Sequence, residues 1–138
     1  MRLKSSVSTI KVFDPDTDIS YGRTFHTTEK TRVGVLPIGY ADGFFRGLSN
    51  RVSVITAQGP APVRGRICMD MCMVDLSGLP DVHVGDTVEI FGEGQRVDRL
   101  AAMLDTIPHE LTCAVSKRVP RLYLKNGEVV ERELLLRM

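Results

Sequence analysis

Arg32-Val33-Gly34-Val35-Leu36-Pro37-Ile38 is a short apolar run, rich in branched side chains, and the turn Ala41-Asp42-Gly43 follows it. A run this short, bounded by turn residues, reads as a buried strand. The same signature recurs on both sides of it. Val7-Ser8-Thr9-Ile10-Lys11-Val12 is β-branched and partly alternating. Val52-Ser53-Val54-Ile55 and Val63-Arg64-Gly65-Arg66-Ile67 flank Gln58-Gly59-Pro60, which reads as a turn. Cys72-Met73-Val74-Asp75-Leu76 and Thr87-Val88-Glu89-Ile90-Phe91 follow. Asp14-Pro15-Asp16, Ser77-Gly78-Leu79-Pro80 and Val84-Gly85-Asp86 punctuate the series with turn chemistry. Many short strands at this spacing predict a mainly β fold: a small, closed or partly closed, Greek-key-like β-barrel.

The period then changes. Val97, Leu100, Ala101 and Leu104 fall on one face of an amphipathic helix, a face expected to pack on the core. Pro108 is suited to open a second helical turn running to Cys113-Ala114. One or two short helices are therefore expected near residues 96–116. Arg118 to Leu124 returns to strand, and Asn126-Gly127 predicts a hairpin with Val129-Val130 on its far side. The tail from Glu131 to Met138 reads as a last strand or a frayed end.

Composition narrows the class. The chain has 138 residues, 43% hydrophobic and 25% charged, the size and balance of one domain with an ordinary core. Eighteen basic and 17 acidic residues leave a net charge of +1. That balance gives no reason to expect a nucleic-acid or membrane partner, and no apolar run is long enough to span a bilayer. No apolar segment follows Met1-Arg2-Leu3-Lys4, so no secretory leader is expected. Three cysteines, Cys68, Cys72 and Cys113, argue against a disulfide scaffold. The four-residue step from Cys68 to Cys72 is not a zinc-knuckle spacing, so no metal is expected and buried free thiols are the simpler reading. The pattern begins with a strand almost at once, which suits a piece cut from a longer protein.

Four local motifs carry more than fold. They are Ser20-Tyr21-Gly22-Arg23-Thr24-Phe25, Pro37-Ile38-Gly39-Tyr40-Ala41-Asp42-Gly43, Gly65-Arg66-Ile67-Cys68-Met69-Asp70 and Ser116-Lys117-Arg118-Val119-Pro120-Arg121. In order and spacing they closely resemble the C-terminal β-domain of alanine racemases, from about Leu3 to about Tyr123. The resemblance implies that residues 1–138 are the β-barrel domain of a cytoplasmic isomerase whose N-terminal TIM barrel is missing here. In that family a barrel lysine forms a Schiff base with pyridoxal 5'-phosphate. Two chains pair head to tail as a homodimer, so each β-domain closes its partner's active site. The family converts L-alanine to D-alanine for cell-wall peptidoglycan.

The resemblance also assigns roles. Racemisation removes a proton from one face of Cα and returns one to the other, which favours two bases. The cofactor acts as electron sink. Tyr21 stands where the family has the tyrosine base, supplied in trans; the plain alternative is a half-buried turn residue beside Gly22. A phenol has an ordinary pKa of about 10, so the role needs nearby positive charge, for which Arg23 is close in sequence. Tyr40 corresponds to a tyrosine that narrows the entry channel, a role compatible with capping a barrel end. Met69 corresponds to a residue whose backbone N–H meets the substrate carboxylate. Asp70 lies at the mouth of the same site, or is a solvated strand-end carboxylate. His109 stands where the family usually has a tyrosine on the cofactor phosphate. An imidazole N–H can donate there, but it is shorter, and the alternative is a surface histidine. Arg118 and Arg121 read as structural ion pairs. Tyr21, Tyr40, Met69 and Phe44 are expected at one end of the barrel, with Asp70 at the rim. The rival readings are a β-barrel binding module of the translation-factor type gripping RNA, the β-domain of a related amino-acid decarboxylase, and a racemase of broad specificity.

Overall fold

The computed structural model describes residues 1–134, so the end of the Glu131–Met138 tail lies outside the described residues. Eleven strands and two short helices follow in order. The strands are β1 (Leu3–Ser6), β2 (Thr9–Phe13), β3 (Asp18–Ile19), β4 (Phe25–His26), β5 (Thr31–Leu36), β6 (Ser53–Thr56), β7 (Gly59–Pro62), β8 (Cys72–Asp75) and β9 (Thr87–Phe91). Helices α1 (Val97–Met103) and α2 (Pro108–Ala114) come next, then β10 (Arg121–Lys125) and β11 (Glu128–Glu133). One antiparallel sheet has the order β1-β9-β6-β7 and a second has the order β2-β5-β8. Two hairpins, β3-β4 and β10-β11, stand as separate two-stranded sheets.

The chain changes sheet once near its start. Val7 ends the first sheet by bonding the Asp86 carbonyl, and Ser8 begins the second by bonding the Val35 carbonyl. The expected strand over 7–12 is therefore two strands joined at a corner. Between the sheets lies one core that includes Leu36, Val54, Ile67, Cys72, Val74, Leu76 and Ile90. Leu100, Ala101 and Leu111 carry both helices onto it, with Val97 and Leu104 partly buried, as the 3.6-residue period predicts.

No sheet closes into a barrel. The expectation of a closed or partly closed barrel is met only in its open form, and β7 supplies the reason. The Val63 N–H bonds Val52 across β6, whereas the Arg64 N–H bonds Met73 on β8. By alternation the nitrogens of Pro60 and Pro62 face β8 too, and proline has no hydrogen to give. The seam between β7 and β8 shrinks to the bridge Val63↔Val74. The prolines also explain a shifted register. The hairpin turn is Ala57-Gln58, closed by the pair Thr56↔Gly59, and Gly59 already begins the strand. Residues 64–67, expected as strand, are instead a loop.

The second hairpin forms where Asn126-Gly127 placed it, with both residues at positive φ (52° and 83°). Its strand begins at Arg121, since Ser116 to Val119 form a turn closed by the Val119 N–H on the Ser116 carbonyl. Leu122, Leu124, Val129 and Val130 are exposed on it.

Leu36 is fully buried on the central strand of the three-stranded sheet. Leu36→Ala should cost about 2–5 kcal/mol, read as a lower urea midpoint at unchanged slope.

Candidate functional site

The loop Arg66–Asp70 is the hub on which the other motifs converge. Ser20 is held at φ 69°, a strained value for a residue with a side chain. Its hydroxyl donates to the Arg66 carbonyl at 2.6 Å. Gly65 passes so close to it that a Cβ there would overlap the Ser20 Cβ and lie 2.7 Å from the Ile19 carbonyl oxygen. These contacts pin the turn Tyr21–Arg23, which has a further positive φ at Gly22 (71°) and at Arg23 (50°). From the other side, the Tyr40 N–H bonds the Cys68 carbonyl and the Ala41 N–H bonds the Met69 carbonyl, both at 3.0 Å. A Cβ on Gly39 would overlap the same two carbonyls. Asn50 adds a brace, accepting from the Gly65 N–H at 2.7 Å and donating to the Thr24 hydroxyl at 3.0 Å. The Ile67 N–H bonds the Ser49 hydroxyl at 2.8 Å.

The fourth motif arrives through Arg118. Its Nε donates to Asp42 Oδ1 and its Nη2 to Asp70 Oδ1, each at 2.6 Å. The other oxygen of Asp42, a buried residue, accepts from the Gly39 N–H at 2.9 Å. The Ser116 N–H bonds the Asp42 carbonyl at 3.2 Å. Hydrogen bonds to Asp42 first, then Asp70, raise the Arg118 pKa and keep it charged. Tyr21 (74% exposed), Tyr40 (44%) and Met69 (53%) remain on the surface around this knot. An open cavity of about 370 Å³ lined by Tyr40, Gly43, Phe45, Arg46, Gly47 and Ala114 lies beside it.

The sequence profile of the "Alanine racemase, C-terminal domain" family matches residues 1–123. The chain belongs to that family. Alanine racemase 1 of Clostridium acetobutylicum is 48% identical over 135 residues, which are 95% of this chain and 35% of the relative. An alanine racemase of Desulfovibrio desulfuricans is 46% identical over 91% of this chain and 34% of its own length. Among solved structures, the alanine racemase of Clostridium difficile 630 in complex with cycloserine superposes with a TM-score of 0.92. It shares 43% identity over 98% of this chain and 36% of its own. The alanine racemase of Bartonella henselae with covalently bound pyridoxal phosphate gives 0.80 at 30% identity, over 83% and 32%. The chain thus spans about a third of the length of the relatives it matches. These matches select the racemase domain over the RNA-gripping module and the decarboxylase β-domain.

Against the expectations for an alanine racemase domain, Tyr21, Tyr40 and Met69 do share one neighbourhood through the Arg66–Asp70 loop. Phe44 does not join them at the surface, because it is 1% exposed and belongs to the core. Tyr21 is exposed rather than half-buried. Asp70 is not a lone solvated carboxylate, since Arg118 holds it. Arg121 makes no ion pair among the described residues; its Nη2 donates to the Val115 carbonyl. Arg23 is exposed and lies 3.5 Å from Asp18, in a surface ion pair. His109 is exposed in the first turn of α2. The thiols differ from the expectation of three buried cysteines. Cys72 is buried, and burial pushes its pKa well up, but Cys68 is intermediate and Cys113 is exposed. Asp42, Ser49 and Asn50 were not legible as site residues. The one available signal was Asp42 inside a motif, and it read as ordinary turn chemistry.

The Tyr21 turn is also clamped at its base. His26 on β4 lies between Asp18 (Nδ1 to Oδ1, 2.9 Å) and Asp16 (Nε2 to Oδ1, 3.2 Å), with Arg23 on the far side of Asp18. Hydrogen bonding to Asp18, then to Asp16, raises the His26 pKa. A raised folded-state pKa means that its stabilisation is complete below the ordinary value of about 6.5 and is lost as pH rises through the folded value. Urea midpoints at about pH 6 and about pH 8.5 should therefore differ by a component that His26→Gln abolishes. At the hub, Gly39→Ala should cost more than the ~1 kcal/mol of a typical substitution, read as a lower urea midpoint at unchanged slope, because backbone carbonyls must move.

Proposed function

We propose that residues 1–138 are one domain of a longer, pyridoxal-phosphate-dependent alanine racemase that interconverts L-alanine and D-alanine for peptidoglycan synthesis. The observation that carries this reading is the convergence of four motifs on the Arg66–Asp70 loop, with Tyr21, Tyr40 and Met69 all exposed beside those junctions. Exposed groups placed this way suit a domain that completes a site on another body. The domain lies against the TIM barrel of a partner subunit in a head-to-tail homodimer. Exposed, unpaired Cys113 fits a reducing cytoplasm.

The residues present do not by themselves fit the cofactor. All five lysines, Lys4, Lys11, Lys30, Lys117 and Lys125, are exposed. Among the described residues, Lys4 borders an open cavity whose other charged groups, Asp42, Asp70 and Arg118, are already paired with one another and leave no free cation for a phosphate but Lys4 itself. The cofactor site belongs to the remaining two thirds of the enzyme. His109, exposed on α2, contributes at most one N–H toward the phosphate.

Tyr21 holds and returns the proton on one face of the substrate Cα. Its turn is strained but pinned at Ser20, so the ring stands on a fixed base while projecting from the domain. The cation that assists it comes from the partner's barrel. The Met69 N–H meets the substrate carboxylate, with Asp70 at the mouth. Tyr40 narrows the entry and favours the small side chain of alanine.

Two measurements check this reading. Joined to the upstream two thirds of the Clostridium acetobutylicum relative, the chain should give an active alanine racemase. In that chimaera Tyr21→Phe should lower turnover about 100- to 10,000-fold with cofactor absorbance retained. Exchange of the Cα hydrogen with solvent should fall more from one enantiomer than from the other. Equal rates for Tyr21→Phe and the parent in both directions would show that another group is the base. The 138-residue chain alone should racemise nothing and bind no pyridoxal phosphate tightly, so that no aldimine absorbance survives gel filtration.

A further inference from the structure

The Arg118 guanidinium touches two carboxylates from different loops, and each loop carries one of the groups placed at the substrate. Asp42 sits two residues after Tyr40, and Asp70 directly follows Met69. The two loops share only backbone hydrogen bonds otherwise, from Tyr40 and Ala41 to the carbonyls of Cys68 and Met69. Such bonds set the height of one loop over the other but leave a sliding motion soft. A planar fork with two fixed N–H directions resists sliding, because one displacement misaligns both 2.6 Å bonds. Asp42 is anchored on its own loop by the Gly39 N–H, and residue 118 is anchored to that loop by the Ser116 N–H. Asp70 is the only end of the fork that reaches the Met69 loop.

Resting on the reading above, we propose that Arg118 is a positioning residue that sets the gap between the Tyr40 ring and the Met69 N–H, and thereby the side-chain size the enzyme accepts. The gap is a specificity element because the carboxylate of an amino acid is held on one loop and its side chain is limited by the other. Loosening the fork widens the acceptance without removing either contact. A displacement of about 1 Å at such a point can change rates about a hundredfold. Arg118→Lys keeps the charge but loses the two-directional fork, so charge alone does not restore the gap.

The test has two arms. In the chain alone, hydrogen exchange is followed at the Tyr40 and Ala41 amides, with the Val63 amide, bonded to Val52 in the core, as internal reference. Arg118→Gln and the milder Asp70→Asn should each speed exchange at Tyr40 and Ala41 about tenfold or more, with Val63 unchanged, while Arg118→Lys falls between. In the chimaera, the ratio of kcat/KM for alanine over serine is compared for the same variants. This ratio does not depend on how much enzyme is folded, so a purely structural role cannot move it. It should fall about fivefold or more in Arg118→Gln and Asp70→Asn, chiefly through KM. Equal acceleration at all three amides, or an unchanged ratio in an active chimaera, would reduce Arg118 to a structural ion pair. An inactive parent chimaera would count against the racemase reading, while the exchange arm would still decide whether Arg118 positions the two loops.

Discussion

Gly39 has no Cβ, and the carbonyls of Cys68 and Met69 fill the space that one would need. That exclusion lets the Tyr40–Asp42 turn lie directly on the Arg66–Asp70 loop, backbone to backbone, and the rest of the arrangement follows from it. Once the loops touch, the amides of Tyr40 and Ala41 find partners there, and Asp42 is turned inward toward the Gly39 N–H. A buried carboxylate then needs a cation, which Arg118 supplies from more than seventy residues away in sequence. Gly65 repeats the device against Ser20 and so brings in the Tyr21 turn.

The scaffold that supports this knot is open. Pro60 and Pro62 deny β8 the donors that closure requires, so the two sheets meet at a single bridge and leave loops where a barrel wall would run. Those loops carry Arg66 to Asp70. Openness at this seam is what lets three motifs reach one loop without crossing the core, and the strain at Ser20 and Arg23 is borne by the rigid sheets around it.

Charge is arranged in two layers. Asp42 is buried while Arg118 reaches it from the surface, so removing Arg118 leaves a buried carboxylate without its cation. Arg23, Asp18 and His26 lie outside, where solvent screens them and each pair contributes little. Arg118, reaching Asp70 from its anchor on Asp42, holds the two loops in register. The outer layer trims the Tyr21 turn and makes it responsive to pH through His26.

The periodicities of two and 3.6 residues determined the strands, the amphipathic α1 and the Asn126-Gly127 hairpin, because these are local and are set by which side chains alternate. The motifs and their resemblance located Tyr21, Tyr40 and Met69 in one family pattern. Local pattern erred where a tertiary effect overrode it. Gly59-Pro60 looked like a turn but starts an edge strand, Val7–Val12 looked continuous but changes sheet, and Phe44 looked like part of the surface patch but fills the core. Only the folded chain decided that the barrel stays open, that Arg118 pairs with both Asp42 and Asp70, and that Asn50 and Ser49 brace the hub. Those outcomes depend on which backbones can approach within contact distance, and that depends on atoms far apart in sequence that no local window contains.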